Sequence, residues 1–184
     1  ARDLPRVLLV SLAEQVRIHA VQGRAETAFE LLVQVDALRT VFDAPAYQPF
    51  DWLYRRTRSV AAGYACLARS DLDGAERALR TAADAPVHAR RAPMVLVARA
   101  LLALVMHEKQ LSEAREMLAE VLSLADLGGI RAFVAAAHPR LPVLERGVER
   151  PPGVHSLQPI VDPVDVRLLH IGRDVPVLRA GGPV

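Results

Sequence analysis

Cysteine, aromatic residues and lysine are all scarce in this 184-residue chain. The single cysteine, Cys66, has no internal disulfide partner, so the fold needs no oxidising compartment. It sits among Ala and other apolar residues, where a thiol is expected to be buried and inert. Aromatics make up only 4%. That is too few for an all-β sandwich or barrel, whose strands draw on β-branched and aromatic side chains at regular spacing. Lysine occurs once, at Lys109, against 22 arginines. The net charge is +2, and the basic residues are scattered apart from Arg55–Arg56–Arg58 and Arg90–Arg91. No basic stripe with interleaved aromatics marks a nucleic-acid surface. Long apolar runs are missing too. Met94 to Met106 is interrupted by Arg99 and falls short of the roughly 20 residues of a membrane span. Val7 to Val10 is too short for the apolar core of a signal peptide. The first residue is Ala1 rather than Met, which reads as an excised fragment or a processed chain, and the cytoplasm is the expected compartment.

Hydrophobic residues nevertheless make up 52% of the chain, led by 30 Ala and 26 Leu. These are strong helix formers. High apolar content with low net charge excludes disorder for most of the chain and supplies a core. Three segments share one pattern: Leu8 to Leu38, Ser59 to Ala85 and Ala98 to Ala125. Each reads as an apolar helix, a short polar turn opening at Gly23, Ser70 or Lys109, and a second amphipathic helix. In the second helix a small residue (Ala28, Ala75, Ala114) is followed four positions on by Leu32, Leu79 or Leu118, and three further on by Val35, Ala82 or Val121. This spacing puts all three residues on one helical face. The alanines are 47 and then 39 residues apart, both longer than the roughly 34-residue tetratricopeptide period. Longer helices or longer connections account for the excess.

Asp71 and Ser112 are candidate N-caps, with Asp73 and with Glu113 and Glu116 in the first turns behind them. Pro45, Pro49, Pro86 and Pro93 punctuate the units. Gly128–Gly129 is placed to end the third pair, and Leu141 to Val148 reads as one more helix after the break at His138–Pro139. From Pro151 the chain becomes Pro-rich, with Val164 to Ile171 and Val175 to Leu178 as isolated apolar pieces. The predicted architecture is an all-α, tetratricopeptide-like superhelix of about three helix pairs over residues 1–150, followed by a linker or tail over 151–184.

The run from Leu111 to Val134 resembles the last repeats of MalT-like regulators, which are large ATP-binding transcription activators of the LuxR family. Those repeats commonly close with an acid, a glycine, an apolar or Tyr residue, Arg, one variable residue and Phe. The matching residues are Asp126, Gly129, Ile130, Arg131 and Phe133. A looser similarity covers residues 7–148. The resemblance implies a superhelical sensor domain that binds a small-molecule inducer or a protein partner, set between a nucleotide-binding module and a helix-turn-helix. The chain departs from the family at both of those modules. It has no Gly-x-x-x-x-Gly-Lys-[Ser/Thr] loop. Residues 162–174 only faintly resemble the start of a LuxR-type helix-turn-helix, and no recognition helix follows. DNA contact is therefore expected only through a module outside this chain.

Catalytic patterns are not found. None of the six histidines has a second His or a Cys at metal-ligand spacing. His107–Glu108 matches the first half of a zinc-protease motif, but position 111 is Leu. No nucleophile elbow occurs. The expectation is a non-enzyme without cofactor or metal, acting by recognition. In such stacks the first helix of each pair lines the groove, which makes Arg17, Arg58, Tyr64, Arg99 and His107 the candidate ligand or partner residues. Trp52 is expected in the core between units, and Phe133 over the open end of the stack, with Arg131 helping to close it. With about three repeats the ends ask for a cap, from the parent protein or from a second copy of the chain. A standalone helical-repeat adaptor that bridges proteins remains the alternative, and a small enzyme on a helical scaffold a third.

Overall fold

A computed structural model describes residues 3–84 and 92–147, all within the compact unit Ala1–Arg150. The expected tail, its two apolar pieces, residues 162–174, Pro86, His88, Arg90 and Arg91 lie outside the described residues.

The described residues form an all-α stack of three helix pairs. The first pair is α1 (Leu4–Val21) and α2 (Ala25–Ala37), the second α4 (Asp51–Ala68) and α5 (Leu72–Ala83), the third α6 (Pro93–Glu108) and α7 (Glu113–Leu127). α1 and α6 begin ahead of the repeat signal, with Pro5 and Pro93 in their first turns, where the missing N–H costs nothing. The repeated face is buried as its spacing requires. Ala28, Ala75 and Ala114 are each at most 1% exposed, and the partners Leu32, Leu79, Leu118, Val35, Ala82 and Val121 are buried with them. Small residues let the paired axes close. α4 comes close to α5 at Gly63, where an added Cβ would lie 2.6 Å from Leu79.

The turn inside each pair has one geometry. The residue after the C-cap takes positive φ: Gly23 at 75°, Ser70 at 58° and Gln110 at 60°. The next amide bonds back to the third-last helical carbonyl: Arg24 to His19, Asp71 to Cys66, Leu111 to Met106. This is the Schellman closure. It corrects the register read from sequence, because Gln110, not Lys109, is the counterpart of Gly23 and Ser70. The third turn is one residue tighter, and the Ala114 amide reaches Leu111 rather than the residue before it. Gly129, at φ 66°, closes α7 in the same manner. Asp71 caps α5 by accepting from the Gly74 amide at 2.8 Å. Ser112 does not cap α7. Its backbone is already helical, and its hydroxyl meets the Glu113 carboxylate at 3.2 Å.

Successive pairs are tied by a recurring ion pair. Arg69, the C-cap of α4, donates to Glu26 at 2.6 Å and lies over the Phe29 ring of α2. Lys109, the C-cap of α6, donates to Asp73 at 2.7 Å and Glu76 at 2.5 Å on α5. Exposed pairs add little energy, but these fix which turn faces which helix. Stacking between pairs is not uniform: α4 packs on α1 more than on α2, whereas α6 packs on α5 far more than on α4. α6 is buried nearly all round, from Val95 to Met106 except at Arg99. That explains its lack of a polar face.

The long first spacing has a structural cause. A short helix, α3 (Arg39–Phe42), and a 3₁₀ turn (Pro45–Phe50) are inserted between the first and second pairs. Arg39 staples this insert to α4, donating to Asp51 at 2.8 Å while pairing with Asp43. The insert buries Phe42 against Tyr54, with ring centroids 5.2 Å apart. Trp52 is not the core aromatic. It is 58% exposed, with Arg56 beside its ring. The buried stripe of α4 runs Tyr54, Thr57, Ala61, Tyr64, and Trp52 is two residues, some 200°, away from Tyr54.

After α7 the chain folds back through α8 (Arg131–Ala135) and α9 (Leu141–Arg146), both packed on α6. Val134, Ala137 and Leu141 are buried, whereas Phe133 is 52% exposed and does not cover the end of the stack. Arg131 does close the segment, pairing with Asp126 and Glu145.

Candidate functional site

The five groove candidates do not converge on one surface. Arg17 of α1 is held by Glu14 one turn back, with Nε 2.9 Å from a carboxylate oxygen. Tyr64 of α4 is only 2% exposed, and its hydroxyl donates to the Ala137 carbonyl at 2.7 Å. Burial pushes its pKa well above the ordinary tyrosine value, with the nearby Arg17 charge opposing. The Tyr64 ring lies nearly parallel to His138, centroids 6.5 Å apart. Tyr64 is thus a tether for the closing segment rather than a ligand contact. Arg99 turns to α7 and forms a forked pair with Glu120, at 3.0 and 2.5 Å. Arg58 and His107 are the two that line clefts, and the clefts are separate.

The first cleft, about 420 Å³, lies between α2, α3, α4 and α5. Arg39, Arg55, Arg58 and Tyr54 line it with Asp36, Ser59 and Thr81. Its cations are already matched. Arg58 grips Asp36 through two contacts at 2.7 and 3.1 Å, and Arg55 pairs with Asp51 at 2.6 Å. The Tyr54 hydroxyl donates to the Asp36 carbonyl at 3.3 Å. An incoming anion would have to displace an aspartate.

The second cleft, about 270 Å³, lies where the end of α6, the first turn of α7 and α9 meet. Leu104, Val143 and Leu144 form apolar walls; His107, Arg115 and Arg140 present nitrogen donors. Glu108 accepts from Arg140 at 2.9 Å. Arg115 has no carboxylate partner among the described residues. The positions three and four away are Leu111, Ser112, Leu118 and Ala119, so no acid stands at helical spacing, and none reaches it from another described element. Sequence alone does not mark Arg115: Arg58 and Arg99 equally lack an acid at helical spacing, yet both pair with acids on other helices.

Among the described residues, no group of three or more His, Cys, Asp or Glu side chains is placed to hold a metal ion. No described helix is long and apolar enough to cross a membrane. Cys66 is half-buried, and burial with the neighbouring Asp71 raises its pKa, which keeps the thiol protonated. Compared with known proteins, the chain matches no family model, no curated protein and no solved structure.

Proposed function

We propose that this chain is a ligand- or protein-binding repeat segment of a cytoplasmic regulator of the LuxR/MalT type, without a DNA-binding module of its own. The observation that carries the reading is the recurrence of one supersecondary unit closed by the segment that holds the family-like run. Three pairs share a turn at Gly23, Ser70 and Gln110 and a buried face at Ala28, Ala75 and Ala114. Arg131, within the Gly-Ile-Arg-x-Phe run, ties Asp126 to Glu145. Stacked repeats of this kind offer faces and clefts, so recognition is the role they serve best. A bound inducer or partner would shift the population of one arrangement of the stack and so act on modules elsewhere.

The test is a thermal-shift screen of metabolites and peptides, because an occupant of the folded state alone raises the melting temperature. A hit supports the reading. A sequence-specific, salt-resistant complex between this chain and duplex DNA overturns the part concerning DNA. A second reading, a standalone adaptor between proteins, draws on the apolar face that α1 leaves exposed at Leu4, Val7, Leu8 and Ile18. Peptide capture without any metabolite hit would favour it.

A further inference from the structure

We infer that the cleft between α6, α7 and α9 is a binding site for a small carboxylate with a short aliphatic body. The inference rests on the recognition reading and names its ligand. Three observations converge on this chemistry. Arg115 is exposed on α7, carries no carboxylate partner among the described residues, and faces the cleft. A guanidinium offers a planar fork that a carboxylate meets with two hydrogen bonds. His107 and Arg140 stand on the same cleft, and Arg140 uses one of its nitrogens on Glu108. Arginine has five N–H donors, so most of those on Arg140 remain. The other walls are apolar: Leu104 is buried behind the cleft, while Val143 is 61% exposed and Leu144 half-buried. A bare inorganic anion would leave these walls wet, and a neutral hydrocarbon would leave Arg115 unmatched.

The size suits such a ligand: the cleft of about 270 Å³ accommodates a six-carbon acid. Because α9 supplies one wall, an occupant would bridge the closing segment to α6 and α7 and hold it in place.

The experiment is calorimetric titration of the full chain with hexanoate, hexan-1-ol and inorganic phosphate, repeated on Arg115→Gln and Val143→Asp. Both positions are exposed, so neither change endangers folding. Saturable hexanoate binding is expected, at least tenfold tighter than hexanol or phosphate. Each variant should weaken it at least tenfold, with Arg24→Gln, remote from the cleft, unchanged. Hexanoate should also shift the His107 ring proton resonances. Absence of saturable binding, equal binding of hexanol or phosphate, or full affinity in Arg115→Gln overturns the assignment. If hexanoate fails while the screen finds another occupant elsewhere, the cleft assignment falls and the recognition reading stands. If every small molecule and peptide fails, both fall.

Discussion

Replacing Gly63 by Ala tests the close contact between α4 and α5. The new Cβ would sit 2.6 Å from both Cγ and Cδ2 of Leu79, where carbon pairs prefer about 3.5–4.0 Å. Cγ is the branch point of the side chain, and Leu79 is fully buried, so it has no solvent to swing into. Either α4 and α5 separate by about 1 Å or Leu79 leaves its rotamer. Overpacking of this kind costs about 1–3 kcal/mol. Removing a glycine from a helix interior returns about 1 kcal/mol. The net expectation is a loss of about 1 kcal/mol, or roughly 3 °C in melting temperature for a domain of this size. Leu79→Ala alone should cost about 2–5 kcal/mol through the cavity it leaves. In the double variant the new methyl enters that cavity. Its loss should therefore be about 1–3 kcal/mol smaller than the two single losses combined. Urea unfolding followed by circular dichroism measures all four proteins, with an unchanged m-value confirming a common native state. A stabilised Gly63→Ala, or an additive cycle, would show that α4 and α5 do not meet at this point.

Four further outcomes follow from other parts of the fold. Tyr64→Phe strips the buried hydroxyl that holds the Ala137 carbonyl and should cost about 1–2 kcal/mol. Amide exchange should quicken selectively over 131–147, and unchanged exchange there would contradict the tether. His138 has a pKa below the ordinary histidine value, first through burial and then through the Arg140 charge, with Glu108 opposing. A depressed folded value means that its contribution is complete above about pH 6.5 and is lost as pH falls through the folded pKa. Stability should therefore drop from pH 7 toward pH 5, and His138→Gln should flatten that slope. Gln110→Gly should stabilise by roughly 0.5 kcal/mol, since left-handed backbone costs a non-glycine residue about 1 kcal/mol or more and the added chain entropy returns part of it. Gly23→Ala, with open space around the new Cβ, should cost about 1 kcal/mol by the same backbone argument, read as a lower melting temperature.

Much of the stack was legible because helical periodicity is local. The spacing of Ala28, Leu32 and Val35, and its two echoes, depends only on which residues share a face, and all nine positions are buried. What the periodicity left open depends on neighbours distant in sequence. Trp52 looked like core because it is large, yet the buried stripe of α4 begins at Tyr54 and leaves Trp52 outside. Phe133 and Val134 are one residue, about 100°, apart on a helix, and it is Val134 that faces inward. Tyr64 looked free for a ligand because nothing nearby in sequence occupies it; its partner, Ala137, is 73 residues away. The insert of α3 and the 3₁₀ turn has no repeat signal of its own, only the excess in spacing. Of the site candidates, Arg58 and His107 do line clefts. Arg115 went unnoticed because its distinguishing property is a missing partner rather than a motif.

The central claim is that this chain recognises a ligand or partner and leaves DNA contact to another module. The most direct measurement is hydrogen–deuterium exchange on the full chain against the best occupant from the thermal-shift screen, with duplex DNA in parallel. The account predicts saturable protection by that occupant, over the end of α6, the first turn of α7 and α9 for a carboxylate, and no protection by DNA. Protection by DNA that persists at high salt, with none from any small molecule or peptide, would contradict it.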